Sequence, residues 1–259
     1  GHKLTLGMTS NKSNTAGVYG GQQKKLIIQD GGGTGSLVLE VAQVSNKVAD
    51  AIYADQKAVV NIGTHVDIKS VKAKNLQAHG VYAANDAKVT LKKLTIREIA
   101  GENDYATGFN VYGIGAGKGA KVNVDEAHIS GVKGSALYAM TAGDTKTEIN
   151  VGGGKIVAAS DDAAGKTYWA VYAAAGNVTL NKDKNRDLTV VGNMQAGDNT
   201  HIGTIDASFT TADSSWTGAI HLANPGTFAN PGATNLTLSN GAVWTHEVQP
   251  GKLAAGFTG

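Results

Sequence analysis

The side chains able to do chemistry are few in this chain, and their spacing points away from most reactions. Seven histidines occur: His2, His65, His79, His128, His201, His221 and His246. None stands in the HxH or HExxH spacing that brings two imidazoles to one metal ion. Cysteine is absent, which removes thiolate metal sites and disulfides. No cofactor and no metal are expected. The run Asp30-Gly31-Gly32-Gly33-Thr34-Gly35 lacks the Gly-Lys-Ser/Thr ending of a phosphate-binding loop and reads as a connection. Acid/base work is left to Glu102 with Asp104 and to Asp161 with Asp162. Cleaving a glycosidic bond needs two carboxyl groups facing each other at about 5–10 Å. These two groups fall in loops of different repeats, so they read as solvated carboxylates.

The elements that must position such groups follow from a repeat. A hydrophobic residue followed by tyrosine occurs at Val18-Tyr19, Ile52-Tyr53, Val81-Tyr82, Val111-Tyr112, Leu137-Tyr138 and Val171-Tyr172. The tyrosines are 34, 29, 30, 26 and 34 residues apart, and they are six of the eight in the chain. Each pair is followed by an alternating triplet such as Val89-Thr90-Leu91, Val122-Asn123-Val124 or Ile149-Asn150-Val151. A third apolar segment comes next, such as Val66-Asp67-Ile68 or Leu94-Thr95-Ile96. Period-two alternation with β-branched residues predicts strands. Three strands in about 30 residues are too few for a propeller blade and suit one rung of a parallel β-helix. The tyrosines are then expected as a stacked ladder beside the core.

Composition agrees with a thin, regular, single-domain coil. The 259 residues include 35 glycines, only 3 prolines and 6% aromatics. Lys+Arg number 23 against 21 Asp+Glu, so nucleic acid is not an expected partner. No run of about 18 apolar residues exists to cross a membrane as a helix. Residues 1–200 carry the repeat. Residues 201–259 depart from it, with Thr204-Ile205-Asp206-Ala207-Ser208-Phe209 lacking the tyrosine, and read as C-terminal rungs of the same solenoid. His65 and His128 both precede the third strand of their rungs, with Lys93 in that slot between them. They read as an exposed polar stack. The lysines and arginine at 69, 72, 74, 88, 92, 93 and 97 are expected to keep the sheet soluble, with a weak site for acidic glycans as the competing reading.

Rung length supplies the candidate site. From third strand to next tyrosine the chain takes 14 residues (Ile68 to Tyr82), 16 (Ile96 to Tyr112), 9 (Ile129 to Tyr138) and 16 (Ile156 to Tyr172). Insertions in solenoids tend to fall on one face, often the binding face. The long connections carry Asn103, Asp104, Tyr105, Asp162, Lys166, Tyr168 and Trp169, a mixture suited to sugar stacking or protein contact. They are the expected adhesive edge.

The C-terminal stretch carries a family resemblance. Ser214-Ser215-Trp216-Thr217-Gly218 and Leu236-Thr237-Leu238-Ser239-Asn240-Gly241-Ala242-Val243-Trp244 resemble the passenger domains of Gram-negative autotransporter adhesins of the AIDA and pertactin-like type. The closest motif covers about 30 residues, and the looser Gly-, Asn- and Thr-rich rung pattern covers most of the rest. The resemblance implies an all-β, right-handed parallel β-helix, with three-strand rungs ending in tryptophan-bearing ones. It implies display on the bacterial surface, or release from it, by type V secretion, with anchoring through a C-terminal β-barrel that this sequence lacks. The implied activity is adhesion to a host glycan or matrix protein, or self-association between passengers as in a biofilm. The alternatives are a carbohydrate-active β-helix enzyme and a passive structural stalk.

Overall fold

The computed structural model describes residues 2–11, 13–30, 34–45, 47–74, 77–101, 111–140, 146–159, 168–198, 201–222 and 232–247. These residues form 23 strands and no helix. Parallel strands stack as a β-solenoid of about seven turns, roughly 29 residues apart. The expected fold class is therefore the one observed.

Each rung has three faces. The first holds the hydrophobic-tyrosine strands, from Thr15–Gly20 and Ala49–Ala54 through Trp169–Ala173 to Asn193–Ala196 and Ile220–Leu222, in one eight-stranded sheet. The second and third faces form a bent fifteen-stranded sheet. In the middle rungs one strand crosses the corner between those faces unbroken, as in Val59–Ala73, Lys88–Ile96 and Lys121–Val132.

Register explains why the sequence repeats. One inward column runs Leu6, Leu39, Ile68, Ile96, Ile129, Ile156, Val190, Trp216. A second runs Val18, Ile52, Val81, Ile114, Leu137, Val171, Met194, Ile220. Each fully buried isoleucine or leucine stabilises the fold by about 1.5–3 kcal/mol. Every rung must present the same shape to its neighbours at a strand spacing of about 4.8 Å.

The corner leaving the first face is a two-residue turn with both residues left-handed. Gln56 and Lys57 have φ of 51° and 61°, and Asn85 and Asp86 have 50° and 61°. The turns close with Ala58 N–H to Asp55 O at 3.0 Å and Ala87 N–H to Ala84 O at 3.1 Å. Asn85 and Asp86 suit this geometry, whereas Gln56 and Lys57 hold it against their own preference because the stacked rung imposes it.

The tyrosine ladder differs from the expected one at one rung. Tyr82 registers with Gly115, and Gly115 with Tyr138. Tyr112 stands three residues earlier, opposite His79 and Ser135. Its ring nevertheless fills the column, 4.6 Å from Tyr138 and 6.3 Å from Tyr82. A Cβ on Gly115 would come within 2.8 Å of the Tyr112 ring, so glycine is what admits it. A hydrophobic-tyrosine search cannot see a ring displaced by three positions.

The C-terminal rungs stay in the coil. Gln195 and His221 take the tyrosine slot. Thr204–Phe209 pairs with Asn177–Leu180 on one side and Ala233–Leu238 on the other. Trp216 is fully buried, lies 4.9 Å from Trp244 with rings 7° from parallel, and donates its Nε1–H to Gly192 O at 3.0 Å. Asn240-Gly241 forms a tight turn, with φ of 54° and 84°. It is a corner, since the strands on either side pair with the preceding rung.

Candidate functional site

The outward column of the second face is polar in every rung after the first. It runs Ile27, Asn61, Thr90, Asn123, Asn150, Thr179, Asp206, Asn235. From Asn61 to Thr179 its alternating triplets place Val, Ile or Leu inward and leave an amide or hydroxyl outward. From Asn123 onward this column forms the floor of a groove of about 800 Å³.

The wall of that groove comes from corner length. Between the inward residues on either side of the second-to-third-face corner lie two residues in the rungs of Leu91–Leu94 and Val124–Ala127. Seven lie between Leu180 and Leu188, which register with Val151 and Gly154. This longer corner carries Lys182, Asp183 and Lys184 along the groove. Asn181 starts it with a φ of 51° and is 1% exposed. Its Nδ2 donates to Arg186 O at 2.8 Å and Ser208 O at 2.9 Å. Thr210 of the next rung donates to Lys184 O at 2.9 Å, and Asn240 of the rung after that donates to Thr210 O at 3.0 Å. Arg186 reaches back to Asp125 O at 2.9 Å. The wall is thereby fixed before any ligand arrives.

On the floor, Asn150 donates to Asn123 Oδ1 at 2.9 Å and Asn235 to Asp206 Oδ1 at 2.7 Å. Lys121 pairs with Glu148 at 3.0 Å at the groove's margin. The amides retain further donors and acceptors beyond these bonds. Five rungs at about 4.8 Å give the column a length of about 19 Å. Such a surface can hydrogen-bond a hydroxyl-rich chain at one-rung intervals. Among the described residues no group of three or more His, Asp or Glu could hold a metal ion.

The expected adhesive edge is only partly within the described residues. Asn103, Asp104, Tyr105, Asp162 and Lys166 lie outside them, as do Glu102 and Asp161. Tyr168 is buried, 5% exposed, and Trp169 is half-buried. Trp169 opens a first-face strand and packs into the aromatic column, 5.8 Å from Tyr172 and edge-on to His221 at 4.9 Å. The two insertions precede Val111–Ala116 and Trp169–Ala173, which flank Ser135–Ala139 in the same sheet.

The histidine stack takes a different form from the expected one. His65 registers with Lys93 and Lys93 with Glu126, whereas His128 registers with Thr95. His65 bonds Thr95 Oγ1 at 2.9 Å, and His128 bonds Glu126 at 2.7 Å. Burial pushes His65 below the ordinary imidazole value. Hydrogen bonds from Lys93 and His128 hold the Glu126 carboxyl below the usual carboxylate range. The basic clusters are largely neutralised across rungs: Lys69 with Glu40 at 2.9 Å, Lys72 with Glu98 at 3.0 Å, Lys93 with Glu126 at 2.7 Å and Arg97 with Asp67 at 3.1 Å. That pairing weakens the case for an acidic-glycan site there.

The groove floor is the middle residue of successive alternating triplets, but Asn61 and Thr90 fill the same slot in earlier rungs, so the triplets alone do not mark where the groove lies. Compared with protein-family models, with curated proteins and with solved structures, the chain matches none.

Proposed function

We propose that this solenoid is a binding protein of the autotransporter-passenger kind, displayed outside a bacterium, and that it holds an extended glycan along its C-terminal rungs. The observation that carries the reading is the walled groove over Asn123, Asn150, Thr179, Asp206 and Asn235. Its floor offers planar amides and a hydroxyl at fixed intervals, and its corners are hydrogen-bonded in advance. A rigid site loses little ordering entropy on binding. Individual contacts to sugar hydroxyls are weak, so many copies on one surface would supply avidity. Binding without turnover suits adhesion to a host glycan.

The test is a panel of immobilised glycans probed with the purified chain and with Thr179→Arg, which places a long charged side chain on the groove floor. Retention of the wild type on a subset of glycans, lost in the variant, supports the reading. Retention that the variant leaves intact moves the site elsewhere. Sedimentation velocity on the same samples separates glycan adhesion from self-association, which would appear as concentration-dependent dimers without glycan.

A further inference from the structure

A second recess lies on the first face, at the other end of the coil. It is about 550 Å³ and is lined by the stacked rings of Tyr19, Tyr53 and Tyr82, by Met8, and by the buried Asp50 and His79. The tyrosine rings are 5.5 and 5.9 Å apart. Tyr19, at the end of the ladder, is 56% exposed.

The recess exists because of one small residue. Ala16 registers with Asp50, Asp50 with His79 and His79 with Tyr112. Two of these successive positions carry rings that stack, His79 on Tyr112 at 4.7 Å and 6°. Where the column reaches Ala16 a side chain of that size is missing, and the space opens onto Asp50. The Asp50 and His79 side chains are 6% and 1% exposed and meet at 2.7 Å through His79 Nδ1. His79 Nε2 is buried without a hydrogen-bond partner among the described residues. A buried polar atom left unsatisfied marks hydrogen-bonding capacity that the fold does not use.

The charge of the recess selects its ligand. Among the described residues that line it there is one carboxylate and no lysine or arginine. The negative field reaches the ring walls: burial first, then the charges of Asp55 and Asp50, push Tyr53 up, and burial followed by Asp50 and Asp55 pushes Tyr82 up. Tyr53 is stacked between Tyr19 and Tyr82, whereas Tyr19 ends the ladder with ring stacking on one side among the described residues. The open face of Tyr19 and the carboxylate together favour an organic cation over an anion or a neutral sugar.

We propose that this recess binds a small organic cation, an ammonium or guanidinium head group, seated against the Tyr19–Tyr53–Tyr82 ladder with Asp50 as its counter-charge. The site is independent of the polar groove.

The probes are tetramethylammonium and agmatine, followed by ring-proton chemical shifts at pH about 8, above the ordinary imidazole range. Sodium chloride at matched ionic strength and tert-butyl alcohol, a neutral probe of similar size, are the controls. The expected result is saturable binding of the cations in the millimolar range. Asp50→Asn weakens it about tenfold, since the charge-assisted contact goes. Tyr19→Ala, at the exposed end of the ladder, weakens it about threefold. Ala16→Leu fills the recess and abolishes binding while leaving Asp50 and His79 in place, which keeps the test sound if Asp50→Asn fails to fold. Absence of saturable cation shifts in the wild type overturns the proposal. So does binding that survives Ala16→Leu, or tert-butyl alcohol binding as tightly as the cations.

Discussion

The middle rungs and the C-terminal rungs are built from the same inward columns but meet solvent differently. Around Leu91 the corner between the second and third faces is two residues long, and the outer surface is crossed by inter-rung ion pairs. Around Leu180 the corner is seven residues long, and the surface opens into a groove floored by amides and hydroxyls. The strands, which hold most of the buried area, are alike in both. The difference lies in the corners, where added residues leave the neighbouring rungs undisturbed. A solenoid can thus acquire a site at little expense to its core, because each rung contacts only its neighbours.

The strongest way to break the comparison is through the shared core. Trp216→Ala is expected to destabilise by about 3–5 kcal/mol and Ile96→Ala by about 2–5 kcal/mol. Amide hydrogen exchange would then show protection lost around Trp216 in the first variant, with the middle rungs kept. Uniform loss along the coil would mean that the two regions unfold as one.

A smaller effect isolates the groove. Asn181→Ala leaves the carbonyls of Arg186 and Ser208 without its amide and is expected to cost about 1–3 kcal/mol in urea unfolding. Lys92→Ala, in the short corner, is expected to stay within about 0.5 kcal/mol of the parent. Equal losses would remove the distinction between a structured wall and a passive turn.

These expectations rest on features the sequence shows unevenly. The strand triplets and the rung length were readable because every rung must match the next, so periodicity accumulates. The displaced Tyr112 and the Asp50–His79 pair were not, since each depends on register three residues before the repeat's obvious marker. The groove was half readable. Asn123 and Asn150 stand at the centre of alternating triplets, but the fold of residues 181–187 over the groove depends on side-chain bonds from Asn181, Thr210 and Asn240.

The aromatic face gives a pH test. Burial raises Tyr112, Tyr53 and Tyr172, and pushes Tyr138 up to about 12. A group whose folded value exceeds its unfolded value contributes stability that is complete below the unfolded value. That contribution is lost as pH rises through the folded one. Melting temperature should therefore fall as pH climbs from about 10, with tyrosinate absorbance rising together with unfolding. Ionisation of most tyrosines near pH 10 in the folded state would contradict the buried ladder.

The smallest effect belongs to the ion-paired surface. Lys72→Ala removes an exposed pair with Glu98 and should cost less than about 1 kcal/mol, with the difference shrinking in salt. A larger, salt-insensitive loss would show that the ion pairs hold the middle rungs together.

Calorimetric titration with soluble oligosaccharides of increasing length, taken from the glycans the panel retains, tests the central claim most directly. The groove account predicts affinity that grows with each added sugar until the chain spans the column from Asn123 to Asn235, then levels off, and that collapses in Thr179→Arg. Affinity independent of length, or unchanged in that variant, would contradict it.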